Sequence, residues 1–520
     1  MLNWILAGSL LLPQGLSAER FPDVPEQDAL SYDIDLTVDL EHEQLHGKVR
    51  YTFAAVERIE SIRLDALHSD AYRVRFAGDD GQELGATWDG DRVAIALPHP
   101  VDPGQKVSFS ASLDGVPVDG FYFKENRYGD LMAFTDHYSI RARGWLPCED
   151  HPADRASFSL RLVYPEGLEA VGFGVRSQTG PEEAAPPGFR SMALRGAAEI
   201  PPYMFALVVG PLARVHEEGD PRLVDHFVYR QDVEKAKKAL VHHALWLSAM
   251  EKTFGPFAFG KYTTVQCPTR WGGFEAPGNV QLAENLFDMP DRGESTLAHE
   301  LVHMWFGDCV GYSRWREVWL SEGFASYFGP WLHSMAGGPP LARSMDLQRR
   351  RWAASFEGRT KSIRDDRFPH PDQALNSNTY PKGAWVLHML RAELGDEAFF
   401  AALKRYFLEH RGTSVVTADF VQSVEESSKK DLGWFFEQWL DRVGCPELRV
   451  SASDGRIRVE QVQKGEPYRF WLRLRWKDRE GKDVDRRVRV EGRETDVVTD
   501  GPVFDLAVDP DVELLFRPAR

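Results

Sequence analysis

At 520 residues, with 43% hydrophobic and 27% charged side chains, the chain exceeds what one hydrophobic core usually supports, and its composition fits neither disorder nor a multi-span membrane protein. A formal charge of −17 disfavours nucleic acid or anionic lipid as the main partner, because phosphate binding wants a concentrated excess of Lys and Arg. Four cysteines, Cys148, Cys267, Cys309 and Cys445, are too sparse for a disulfide scaffold, show no CxxC spacing and read as free buried thiols.

In chain order, the N-terminal stretch to Ala18 is apolar and uncharged, breaks at Pro13 and ends in the small residues Ser17-Ala18. It reads as a signal peptide over 1–18, which predicts export to the periplasm or the exterior; a frayed apolar N-terminus on a cytoplasmic chain is the alternative. The run falls short of the roughly 20 apolar residues that span a bilayer, so no stable membrane insertion is expected after cleavage. From Tyr32 to about Val209, alternating runs such as "YDIDLTVDL" and "FSLRLVYP" are separated by Gly, Asp and Pro turns, which predicts a β domain over 19–212.

Near Gln231 the period changes. "DVEKAKKALVHHALWLSAMEKTF" has helical spacing, and further helical patterns run over 295–306, 322–336, 382–393 and 397–410, predicting a mainly helical domain over 213–443. Alternation returns in "RIRVEQV" and "FWLRLRW", so 444–520 is expected to be a small β-sandwich. The basic runs Arg349-Arg350-Arg351 and Arg486-Arg487 are short and read as solvated faces.

Within the helical domain lies His299-Glu300-Leu301-Val302-His303. Histidines at i and i+4 of a helix sit one turn apart on one face, so both rings can converge on one metal ion. Two surface histidines would show the same spacing, and the choice turns on further ligands. A catalytic zinc takes three protein ligands and leaves a position open. Eighteen residues past His303, Glu322 opens the apolar segment "GFASYFGPWL" and completes a His2Glu set.

This arrangement resembles the aminopeptidase N family of zinc metallopeptidases. "GGFEAPGN" at 272–279 resembles the family's GxMEN motif, "NTYPKGAWVLHML" at 378–390 its tyrosine segment, and "ARGWLPCEDHPADRASF" at 142–158 its N-terminal segment; "IPPYMFALVVG" follows before the domain junction. The resemblance runs in order over roughly residues 30 to 515. It implies a multidomain α+β fold: an N-terminal saddle-like β-sandwich, a thermolysin-like, mainly helical zinc catalytic domain and a small C-terminal β-sandwich. The helical superhelix of longer members is expected to be missing, which would leave the cleft more open.

The implied activity is removal of the N-terminal residue from peptides with a free N-terminus, using one zinc per chain. His299, His303 and Glu322 would be the metal ligands, Glu300 the general base and Tyr380 the phenol that stabilises the oxyanion. Glu275 would pair with the substrate ammonium, while Gly272 and Gly273 would let the substrate lie along the loop as an added strand. Three departures stand out: Phe274 and Ala276 replace the motif's methionine and asparagine, Asp136 and Tyr138 stand where relatives carry Gln or Glu in the substrate pocket, and Ser321 replaces an asparagine. Asp136 is the candidate second ammonium carboxylate, Phe274 and Tyr138 are candidate pocket walls, and Ser321 is expected to alter only local capping. Two other readings stay open: a zinc endopeptidase on the same scaffold, and a non-catalytic peptide-binding scaffold.

Overall fold

The computed structural model describes residues 21, 23–177, 185–217, 224–453 and 455–519. The expected leader over 1–18 lies outside them. Buried Tyr32, Ile34, Leu36 and Val38 alternate with more exposed neighbours along Gln27–Asp39, and this period of two makes the segment a strand with one face in the core. It runs antiparallel to Gln44–Ala55 and parallel to Ser157–Pro165 within a seven-stranded sheet. A four-stranded sheet from Glu169–Gly172 to Phe121–Glu125 and a three-stranded sheet around Arg92–Val101 complete the first β-rich region.

The middle region begins with a five-stranded sheet in the order Leu212–His216, Val224–Tyr229, Tyr262–Gln266, Val280–Leu282, Gly273–Phe274. Its helices are α1 (Val233–Ala239), α2 (His243–Thr253), α3 (Pro290–His303), α4 (Trp319–Met335), α5 (Leu341–Ala354), α6 (Glu357–Thr360), α7 (Gly383–Leu394), α8 (Asp396–His410), α9 (Thr417–Ser428) and the single turn α10 (Gly433–Phe436). The start of α3 lies five residues before the sequence pattern suggests, because Pro290 is tolerated in the first turn, where its missing N–H has no intrahelical partner to lose. The start of α4 likewise precedes Glu322 and leaves that residue in the first turn.

Close helix approach brings the site together. A Cβ on Gly323 of α4 would stand 3.0 Å from the Gly383 backbone of α7, so only glycine at both positions lets the two backbones come this near. Directly before α7, Asn378–Lys382 forms one π-helical turn containing Pro381. A proline cannot donate into an α-helical ladder, and the wider turn accommodates it while carrying Tyr380 over α4.

The C-terminal region pairs a four-stranded sheet, Glu494–Val498, Arg456–Gln461, Glu447–Ser453 and Arg517–Pro518, with a three-stranded one, Asp483–Val490, Phe470–Lys477 and Phe504–Val508. It is tied to the helices by Arg349 to Asp509 at 2.8 Å and by the His388 ring to the Val512 carbonyl at 2.8 Å. All four cysteines are buried and free. Among the described residues no helix is long and apolar enough to cross a membrane.

Candidate active site

The histidines of α3 leave the helix on one face, and α4 sets Glu322 against them. His299 Nε2 and His303 Nε2 are 3.2 Å apart; Glu322 Oε2 is 3.2 Å from the first and 3.5 Å from the second. Metal bonds of about 2.0–2.1 Å at tetrahedral angles put neighbouring donors about 3.3 Å apart, so this triangle fits one divalent ion of the zinc kind. Burial would raise the Glu322 carboxyl, but the two rings beside it outweigh burial and hold it below the usual carboxylate range.

Two of the three ligands, His303 and Glu322, are braced from behind. His303 Nδ1 lies 2.9 Å from Ser321 Oγ and 3.3 Å from the Phe306 carbonyl oxygen. With the Nδ1 proton donated outward, Nε2 keeps its lone pair for an ion. Ser321 is therefore more than a local capping residue: one helical position before Glu322, it touches the ring of a partner ligand from inside the core, at 1% exposure. Tyr380 donates its hydroxyl proton to Glu322 Oε1 at 2.7 Å, which leaves Oε2 for the triangle, and its ring lies parallel to that of His299 at 6.0 Å.

The triangle opens on a cavity of about 290 Å³. Glu300 faces it from α3, pressed against the edge strand Gly273–Phe274. A Cβ on Gly273 would meet Glu300 Oε1 at 2.3 Å, so a glycine is what lets the carboxylate lie on this backbone. Burial pushes the Glu300 carboxyl well above the ordinary carboxylate range, against the pull of His303, and the negative Glu275 and Glu322 push it further. Burial likewise raises Glu275. Glu275, Glu300 and His303 each bring a ligand atom within 4.8 Å of the others, so the second carboxylate stands beside the metal triangle.

Gly272, Gly273, Phe274, Tyr138 and Tyr380 also line the cavity. Asp136 does not. Its carboxylate accepts from Trp271 Nε1 at 3.0 Å and Thr269 Oγ1 at 3.3 Å, and stands 3.6 Å from Arg270, behind the wall rather than in it. Sequence reasoning passed over Trp271, Leu375, Ser295 and Thr296, which line the cavity as well. Helical spacing could have found two of these: Ser295 and Thr296 lie one turn before His299 and Glu300 on the same face of α3.

Comparison with known proteins agrees with this geometry. Residues 28–183 match the Peptidase M1 N-terminal domain and residues 239–439 the Peptidase family M1 domain. The chain is 27% identical to Aminopeptidase M1 of Arabidopsis thaliana over 393 residues, which is 70% of this chain and 43% of that protein. It is also 27% identical to human Aminopeptidase RNPEPL1 over 359 residues, 64% of this chain and 47% of that one. The chain thus spans about half the length of the curated relatives it matches. A crystal structure of a mutant M1 zinc metallopeptidase from Deinococcus radiodurans bound to a Tyr-Ser-Ala substrate shares the fold, with a TM-score of 0.69 at 24% identity over 82% of this chain and 96% of that one. With both domain models matched in order, and the His2Glu triangle built by the second of them, the chain belongs to peptidase family M1.

Proposed function

We propose that the chain is a zinc-dependent aminopeptidase, with residues 213–443 as its catalytic domain. The observation that carries this reading is one cavity lined by a metal-fitting His299–His303–Glu322 triangle, a buried Glu300, a further carboxylate at Glu275 and a phenol at Tyr380. One zinc in the cavity would be held by His299 Nε2, His303 Nε2 and Glu322 Oε2. When bound, zinc supplies a positive centre that polarises a peptide carbonyl and makes water easier to deprotonate.

The remaining steps belong to the chain's own side chains. Glu300, held against Gly273 and facing the cavity, takes a proton from the attacking water and returns it to the departing amine. Tyr380 donates to Glu322 Oε1 before substrate binds, and its single O–H turns from Glu322 to the carbonyl oxygen as that oxygen gains charge. Glu275 pairs with the substrate ammonium, a charge-assisted contact that selects free N-termini. Gly273–Phe274 is the outermost strand of its sheet, so its free edge can accept an extended peptide as an added strand. Phe274 and Tyr138 present ring surface to the first substrate side chain.

The lining and the bound tripeptide of the Deinococcus radiodurans relative support peptides as substrates. Export belongs to the same reading and rests on the apolar run ending at Ala18; the mass of the mature chain recovered from cells tests it. For the activity, purified protein should hydrolyse amino-acid anilides, stop in chelator and resume with added Zn²⁺. Hydrolysis that persists without metal contradicts the proposal.

A further inference from the structure

A second set of two histidines and one glutamate lies away from the cavity. Glu217 follows the strand Leu212–His216, His226 sits within Val224–Tyr229, and His243 opens α2. The three are buried, at 5%, 0% and 0% exposure. Glu217 Oε2 stands 3.0 Å from His243 Nδ1 and 3.4 Å from His226 Nε2, and the two rings are 4.7 Å apart.

The outer atoms are held in place. Glu217 Oε1 accepts the Ala244 N–H at 2.8 Å, and His226 Nδ1 meets Thr264 Oγ1 at 2.9 Å. His243 Nε2 and the Tyr262 hydroxyl, on rings 5.4 Å apart, are buried and have no hydrogen-bond partner among the described residues.

We infer that Glu217, His226 and His243 supply three buried ligands to a second divalent ion of the zinc class, away from the cavity. The yardstick is in the same chain. In the catalytic triangle one carboxylate oxygen faces two imidazole nitrogens at 3.2 and 3.5 Å, its other oxygen takes a hydrogen bond, and a hydroxyl lies 2.9 Å behind one ring. The second set repeats these three features, with Thr264 in the place of Ser321, and its ligand atoms lie within 4.8 Å of one another. One carboxylate oxygen can accept from both rings, and an ion at the same place gives both nitrogens and that oxygen one shared partner and balances the buried carboxylate charge. Glu217, His226 and His243 do not line the catalytic cavity, so the ion would serve to fasten the end of one strand to its neighbour and to the start of α2.

Zinc content tests this with the full chain, grown with zinc and passed over chelating resin. The expected values are two zinc ions in the unaltered protein, one in His299→Ala/His303→Ala, and none when His226→Ala is added. The double variant leaves the second set intact, so it is informative even if the triple variant does not fold; X-ray absorption of its retained zinc should show two imidazole ligands. No zinc in the double variant, zinc kept by a folded triple variant, or a retained ion with oxygen ligands only would overturn the inference. One zinc in both the unaltered protein and the double variant would instead uphold the second site and count against zinc in the cavity.

Discussion

The two His2Glu sets share residue types and local geometry but differ in surroundings. His299, His303 and Glu322 face a cavity of about 290 Å³, with Glu300, Glu275 and Tyr380 around the same space. Glu217, His226 and His243 are enclosed between strands and the start of α2, and have backbone, Thr264 and Tyr262 for company. A donor set therefore does not by itself make an active site. Reactivity needs an ion that substrate can reach, together with a base and a hydrogen-bond donor aimed at the reacting atoms.

That comparison can be broken most severely at Glu300, which the enclosed set has no counterpart for. Glu300→Gln should lower anilide turnover about 100- to 10,000-fold with zinc content unchanged, the range expected for a positioned acid–base; metal analysis beside steady-state kinetics checks both halves. Tyr380→Phe should lower kcat about 100- to 1,000-fold with KM little changed, the loss typical of one oxyanion donor. A fall in zinc content instead would mean that the phenol serves Glu322 more than the substrate.

Gly273→Ala should cost about 100-fold in kcat/KM, because its methyl must push the Glu300 carboxylate aside, and displacements near 1 Å have effects of that size. Its melting temperature should fall as well, since the methyl meets Glu300 Oε1, Cδ and Cγ at 2.3, 2.5 and 2.8 Å and the whole buried side chain must shift. The smallest effect should come from Ser321→Ala, which removes the hydroxyl behind His303. Zinc affinity should fall about 10- to 100-fold, as for other partners of metal-bound histidines, and activity should return at saturating Zn²⁺.

The cavity-facing set was legible in the sequence because two of its ligands share one helix: four residues of spacing fix both rings on one face, and the third ligand follows at the start of the next helix. The β, helical, β order was legible for a similar reason, since periods of 2 and 3.6 leave different marks in the chain. The enclosed set was not legible. Its residues come from a strand end, a neighbouring strand and a helix start, and only the pairing of Leu212–His216 with Val224–Tyr229 brings Glu217 and His226 together. The surroundings of Asp136 and Ser321 were hidden as well. Nothing local to Asp136 says that Arg270 and Trp271 will occupy it, and nothing near Ser321 says that the packing of α3 on α4 will press it against His303.

The central claim is that the cavity recognises a free N-terminus beside a metal-dependent hydrolytic centre. Its most direct test is the rate on amino-acid anilides against the same compounds N-acetylated, each with and without chelator. The account predicts chelator-sensitive cleavage of the free anilides and none of the acetylated ones. Comparable cleavage of both would contradict the ammonium role of Glu275 and identify the cavity as that of an endopeptidase.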